Sequence, residues 1–372
     1  MMKILIAGDY CPQHRVSELL EKRDFQSVFG EIKEITIDAD YSIVNLECPV
    51  TKGAEKQIEK YGPALHCTKR SVEALEWTGA NCVTLANNHF YDFGEEGVKS
   101  TLTACCENKL DYVGGGKNLY EASQTLYKEI NGDILAVINC CEHEFSIATE
   151  TSGGSNPLNP IQQYYAIQEA KKTSDYILVI IHGGHEHYQL PSPRMQETYR
   201  FFIDAGADAV VNHHQHCYSG YESYHGKPIF YGLGNFCFDK PGIRNTKWNE
   251  GYLVLLELSA EVKFDIIPYN QCSNEARIIL LDKSSFDEHL QKLNAIILDP
   301  VLLKKAVHHY YATKEKQYSE LLEPTNNRLY LAFRRRGWLP SMIVPWKKKR
   351  TADYVCCESH CDILKHYLLG NK

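Results

Sequence analysis

A chain of 372 residues that is 44% hydrophobic and 23% charged has the length to bury a large core and the composition of an ordinary globular protein, which excludes a disordered or low-complexity chain. Its net charge of −7 argues against general nucleic-acid binding and leaves room only for local basic patches. The N-terminus reaches Asp9 after a short apolar run, and no run approaches the length of a spanning helix; no secretory signal or transmembrane segment is read, and a cytoplasmic location is expected.

Fourteen cysteines come partly as adjacent pairs, with no CxxC. That is a pattern of reduced thiols packed as small hydrophobes, not of a disulfide framework or a structural zinc site.

The chain opens with Ile4-Leu-Ile-Ala7, a short buried strand ended by Gly8-Asp9. An acid at the tip of a first strand stands where loops from several strands converge in α/β enzymes, and is either a ligand or a turn-capping residue. A helix is expected over 16–29 and a strand over 32–37. Tyr41 to Glu47 reads as a second buried strand whose end carries Asn45 and Glu47, two residues apart and so on one face. Glu47 is a ligand or an exposed strand-end acid. A helix over 71–78 is closed by Gly79. The buried strand from Cys82 to Ala86 runs straight into Asn87-Asn88-His89, then Asp92-Phe-Gly94 and a helix through Cys106. Amide and imidazole groups at such a crossing need partners, supplied by a functional site or by an Asn cap and a structural His.

Residues 112–117 lack the spacing of a phosphate loop and read as a turn. Strands over 126–130 and 134–139 make a hairpin about Asn131-Gly-Asp133, followed by Glu142-His143-Glu144, which could line a pocket. The stretch 146–159, rich in Ser, Thr, Gly and Asn, reads as a flexible surface loop and a substrate-side lid. A helix over 161–173 leads to the densest part of the chain. Ile177 to Ile181 runs into His182-Gly-Gly-His-Glu-His187. After a helix over 192–205, Asp208 to Val211 runs into Asn212-His-His-Gln-His216, and Ile229 to Phe236 closes with glycines. Six histidines directly after two apolar runs are the pattern of a metal site above the strand ends of an open α/β sheet. The alternative is a pair of His-rich polar loops.

Residues 251–258 and 262–268 alternate as strands expected to close a second sheet. Domains are expected over 1–270 and 271–372, the latter a mainly helical, basic extension. Arg334-Arg-Arg336 and Lys347-Lys-Lys-Arg350 bracket Trp338 and Trp346. This is a solvated basic face or a contact for an anionic partner: membrane, nucleic acid or acidic polymer.

Taken in order, the strand-end groups are Asp9, Glu47, Asn88-His89, His182 with Glu186, and His214-x-His216. Carboxylate, amide and imidazole together suit two borderline divalent ions such as Mn, Fe or Zn better than Ca or Mg alone. Gly8-Asp9, Asn45-Leu-Glu47, Ala86-Asn-Asn-His89 with Asp92-x-Gly94, His182-x-Gly184-x-Glu186, Gly206-Ala-Asp208, His213-His-Gln-His216 and Leu233-Gly-Asn-Phe236 follow one another over about two-thirds of the chain. In that order they resemble the calcineurin-like metallophosphoesterases, specifically the bacterial capsule-synthesis (CapA, poly-γ-glutamate biosynthesis) family.

The resemblance implies an α/β fold, a four-layer αββα sandwich with a metal pair above the strand ends. It implies Asp9, Glu47, Asn88, His182, His214 and His216 as metal ligands, His89 as general acid or transition-state stabiliser, and Asp92 to orient it. Asn45, Glu186, His187 and Asn235 fall on the substrate side. The chain departs from the pattern at Asp9-Tyr-Cys11, where Asp-x-His is usual, so Cys11 is either inert or a soft ligand. Glu47 replaces an Asp, as is usual in the capsule family; His187 and Asn212 stand where Tyr and Gly are common. The implied activity is a metal-dependent hydrolase whose activated water attacks a phosphoester or a γ-glutamyl amide in a small-molecule or anionic polymer substrate. Capsule-synthesis proteins are implied as partners, and no nucleic acid is expected. Alternatives are a non-catalytic assembly factor in capsule synthesis and a nucleotide or nucleic-acid phosphodiesterase, the latter little favoured by an acidic chain.

Overall fold

The computed structural model describes residues 1–357 and, beyond them, His360, Cys361, Ile363, Leu364 and Leu368. Two compact units are present, Met1–Lys304 and Lys305–Lys372.

The first unit is built on two sheets. In one, the strands Met2–Tyr10, Tyr41–Leu46, Cys82–Thr84 and Asp111–Val113 run parallel, and Glu250–Leu258, Lys263–Gln271 and Ile278–Leu280 extend it antiparallel from the other side of Met2–Tyr10. In the other, Lys227–Phe230, Ala209–His213, Tyr176–His182 and Asp133–Cys141 run parallel between antiparallel edge strands Tyr221–Tyr224 and Leu126–Ile130. The sheets pack face to face through aromatic contacts, with Phe230 set 5.1 Å from Phe264 and 6.4 Å from Tyr252 between ring centres. Helices His14–Glu21, Phe25–Ile37, Lys69–Thr78 and Gly94–Glu107 cover the outer face of the first sheet, sharing a core with Leu5, Ala7, Val44 and Val83. Pro160–Ala170 and Pro193–Ala205 cover the second. The result is the expected four-layer αββα sandwich. Strands buried on both faces explain why the sequence shows continuous apolar runs instead of alternation.

Several local expectations change. The strand expected over 32–37 is the second half of helix Phe25–Ile37, whose buried residues Phe25, Val28, Phe29, Ile32 and Thr36 repeat at helical spacing. Burial of that face overrides the β-branched composition. The preceding helix stops at Glu21, and Asp24 caps the new one by accepting from the Ser27 amide. The strands over 251–258 and 262–268 do not close a second sheet; Glu250–Leu258 pairs onto Met2–Tyr10, and Lys263–Gln271 pairs onto Glu250–Leu258. Much of the stretch 146–159 is packed into the fold. Gly154–Ser155 pairs with Gly115–Gly116, and Ser155 Oγ, fully buried, donates within reach of the Leu85 and Asn87 carbonyls. Its small residues fit beneath the Asn87 turn.

The expected boundary at 270 falls inside the first unit, because Ile278–Leu280 completes a sheet and Lys283–Leu298 packs on Tyr221–Tyr224 and Lys263–Gln271. The second unit contains most of Pro300–Ser319 and the helices Arg328–Arg335 and Pro345–Cys356. No helix among the described residues is long and apolar enough to cross a membrane. Every cysteine whose side chain is described is a free thiol, most of them buried.

Candidate metal centre

Asp9, Asn45 and Glu47, and Asn88 with His89, stand at or just past the C-terminal ends of three parallel strands of the first sheet; His182, His214 and His216 do so for two of the second. Both crossover patterns deliver their loops to the same end, so residues far apart in sequence meet there. Gly8 makes the approach possible. A Cβ at that position would lie 1.9 Å from the Gly234 carbonyl oxygen. Without one, Asp9 N donates to Gly234 O at 3.1 Å, and strand Asn235–Cys237 lies beside the first. His214 and His216 hold φ of 90° and 56°, left-handed conformations that cost about 1–3 kcal/mol each for such residues and persist only where the surroundings impose them.

The donor atoms form two groups that share one carboxylate. Ligand atoms of Glu47, His182 and His214 lie within 4.8 Å of one another, as do those of Asp9, Glu47 and His216. His182 Nε2 is 3.0 Å from His214 Nδ1, 3.0 Å from Asn88 Oδ1 and 3.5 Å from Glu47 Oε1, while His216 Nε2 is 3.6 Å from that same oxygen. Two donors each about 2.1 Å from one first-row ion stand roughly 3.0–3.4 Å apart at ordinary coordination angles. The two 3.0 Å separations at His182 Nε2 fall in that range, and the two to Glu47 Oε1 lie just beyond it.

Glu47 carries the test of fit. It is 0% exposed, and among the described residues neither carboxyl oxygen has a hydrogen-bond partner. Burial, then the neighbouring Asp9, pushes its pKa well up; burial raises Asp9 to about 7, and burial together with the neighbouring imidazoles pulls His182 well down. Two buried carboxyls beside neutral imidazoles are an environment short of positive charge, which a divalent cation supplies. The residues fit a metal.

Around the donors, other groups fix their aim. Asp9 accepts from Asn45 Nδ2 at 2.6 Å and from the His214 amide at 3.2 Å, and Thr84 Oγ1 donates to Asn45 Oδ1. Asn235 Nδ2 donates to the carbonyls of His216 and Trp248, so its Oδ1 accepts from His216 Nδ1 at 2.9 Å and leaves the Nε2 lone pair facing Glu47. Asn45 and Asn235, expected on the substrate side, are therefore buried behind the donors and orient them. Glu144 accepts from Asn88 Nδ2 at 2.9 Å, which turns the Asn88 carbonyl oxygen to His182. Glu142 instead pairs with Arg194 and accepts from the Gly184 amide. Cys11 interacts with Gln13 and Cys48 and is in neither donor group. Glu186 and His187 lie at the exposed rim, His187 backed by Trp248 at 5.6 Å between ring centres.

His89 and Asp92 sit beside the donors, with Nδ1 2.7 Å from Asp92 Oδ2. Sequence reasoning missed their third member. Lys60, only 3% exposed at its side chain, ion-pairs with Asp92 and stands 3.2 Å from His89 Nδ1, while the Leu65 amide donates to Asp92 at 2.7 Å. Both come from the irregular segment 51–66, which has no periodicity to announce it; the lone lysine's burial is visible only in three dimensions.

The model of the family described as bacterial capsule synthesis protein PGA_cap matches residues 3–240. Among curated proteins, the chain is 31% identical over 277 residues to the capsule biosynthesis protein CapA of Bacillus anthracis, covering 72% of this chain and 67% of that one. It is 32% identical over 269 residues to the PGA biosynthesis protein CapA of Bacillus subtilis, covering 70% and 69%. Among solved structures, a hypothetical protein from Thermus thermophilus covers 72% of this chain and 99% of its own at 15% identity and a TM-score of 0.48. A putative 5′-nucleotidase from Staphylococcus aureus covers 78% and 57% at 14% identity and 0.45.

Proposed function

The chain belongs to the bacterial capsule synthesis protein family, and from that premise we propose that it is a metal-dependent hydrolase acting on a phosphoester or γ-glutamyl amide bond of an anionic substrate. The single observation that carries this reading is Glu47: a fully buried carboxyl whose oxygens have no hydrogen-bond partner among the described residues, shared by two donor groups. Two divalent ions are the proposed occupants. Glu47, His182, His214 and Asn88 would hold one, and Asp9, Glu47 and His216 the other. Bound there, such ions would supply Lewis acidity toward the scissile group and the attacking water.

The chain's own residues do the rest. His89, held through Nδ1 by Asp92, directs its Nε2 as the proton-exchanging atom toward the leaving group. Lys60 and the Leu65 amide hold Asp92 in place, which keeps the ring from turning. Asn235 and Glu144 keep His216 and Asn88 aimed at the donor groups. The rim residues Glu186 and His187 are where a substrate is discriminated.

The test is a panel of nucleotides, bis-p-nitrophenyl phosphate and γ-glutamyl peptides, assayed on the full chain with Mn, Fe or Zn titrated in. Turnover that rises with metal is expected, abolished by His214→Ala together with metal binding and by His89→Asn without loss of metal. Tight metal binding with no turnover on any member of the panel would instead favour the assembly-factor reading.

A further inference from the structure

The second unit carries a surface of different chemistry from the rest of the chain. Residues 328–350 contain eight lysines and arginines and no aspartate or glutamate, in a chain whose acids outnumber its bases 47 to 40. Interleaved with the cations are large apolar side chains that face solvent: Leu329, Trp338, Leu339, Met342, Val344 and Trp346, with the two tryptophans 68% and 60% exposed. Three cations are engaged by acids of the same unit, Arg334 by Glu323, Arg335 by Glu320, and Lys348 at 3.7 Å from Glu315. The segment is not an unstructured tail. Buried Glu323 accepts from Tyr330 Oη, Ser341 Oγ and the Met342 amide, tying helix Arg328–Arg335 to the turn after it. Phe333 packs against Trp338 at 5.5 Å, and the Arg336 guanidinium lies over that indole.

We propose that residues 328–350 dock the protein onto a bilayer surface containing anionic lipid. Indole rings flanked by Lys and Arg are suited to the headgroup level, where one part of the ring meets hydrocarbon and another meets water. Leu339, Met342 and Val344 lie between the two basic runs, where they can enter the acyl boundary while the runs meet anionic headgroups. A soluble polyanion would satisfy the cations and leave these aliphatic side chains in water; a bilayer satisfies both. The segment lies on the surface and does not span, since its uncharged run, residues 337–346, is far shorter than a spanning helix requires.

Flotation of the full chain with phosphatidylcholine vesicles, with and without phosphatidylserine, tests this. Binding is expected only where phosphatidylserine is present, weakened by added salt and accompanied by a blue shift of tryptophan emission. Replacing Lys347, Lys348, Lys349 and Arg350 by glutamine lowers the partition about a hundredfold or more, at roughly fivefold per cation. Trp338→Ser with Trp346→Ser removes the emission shift and weakens binding independently of charge; all six positions are exposed, so circular dichroism of both variants matches the parent. Absence of vesicle binding, equal binding to neutral vesicles, or binding unchanged in both variants overturns the proposal. So does capture of polyglutamate or single-stranded DNA by a chain that ignores vesicles, which would reassign the patch to a soluble polyanion.

Discussion

Glu47 Oε1 stands 3.5 Å from His182 Nε2, the end of one sheet's strand meeting the end of the other's. Among the described residues the carboxyl has no hydrogen-bond partner, so its cost in the metal-free protein and its use in the loaded one have opposite signs.

Glu47→Gln separates the two. In EDTA the variant is expected to be at least as stable as the parent, by up to about 1–3 kcal/mol, because a buried carboxyl without partners is removed. With Mn or Zn present the order reverses, since the parent gains binding energy that the variant cannot. Thermal unfolding with and without metal reads both signs, and a variant less stable than the parent in EDTA would show that Glu47 is satisfied without a cation.

Lys60→Met leaves Asp92 buried beside His89 without its cation. Removing one partner of a buried ion pair costs about 3–5 kcal/mol. Adding Asp92→Asn to Lys60→Met recovers part of that loss, because no orphaned charge is left. Urea denaturation of the two single variants and the double gives the coupling; strict additivity of the two losses would mean the residues do not act as a pair.

Asp239 sets an acid limit on stability. Burial alone would raise its pKa, but hydrogen bonds and charge from Arg15 and Arg244 outweigh burial and hold it below the ordinary carboxylate range. A folded pKa below the unfolded one contributes stability that is complete above the unfolded value, near about 3.9, and is lost as pH falls through the folded one. Asp239→Asn is therefore less stable than the parent at neutral pH, with the gap closing as pH drops through the acid range. Denaturant midpoints measured down that range check it, and a gap independent of pH would place the effect outside the carboxylate's charge.

Gly8→Ala puts a methyl 1.9 Å from the Gly234 carbonyl, a backbone atom that cannot swing away. A loss of about 3 kcal/mol or more is expected, with metal affinity falling as well because Asp9 and Asn235 are displaced together. Isothermal titration with Mn on the folded variant checks the second part; unchanged affinity would separate the strand junction from the donors.

The sequence by itself determined most of the longer strands, most of the helices and the candidate donors. Apolar runs buried on both faces are local signals, and so is a polar residue placed where such a run ends, which is why Asp9, Glu47, Asn88, His182, His214 and His216 could be named from spacing and resemblance. It also exposed the basic, tryptophan-bearing character of 328–350, a matter of composition. Only the tertiary structure decided what each group meets. It made Glu47 common to both donor groups, turned Asn45 and Asn235 inward as orienting residues, and brought Lys60 to Asp92 from a segment with no pattern to read. It packed 154–155 under the Asn87 turn where composition suggested a loose lid, and gave 278–298 to the first unit. The physical reason is the same in each case. A residue's chemistry and its local period travel with the chain, but burial and hydrogen-bond partners are long-range properties, set only when strands from two sheets deliver their ends to one place.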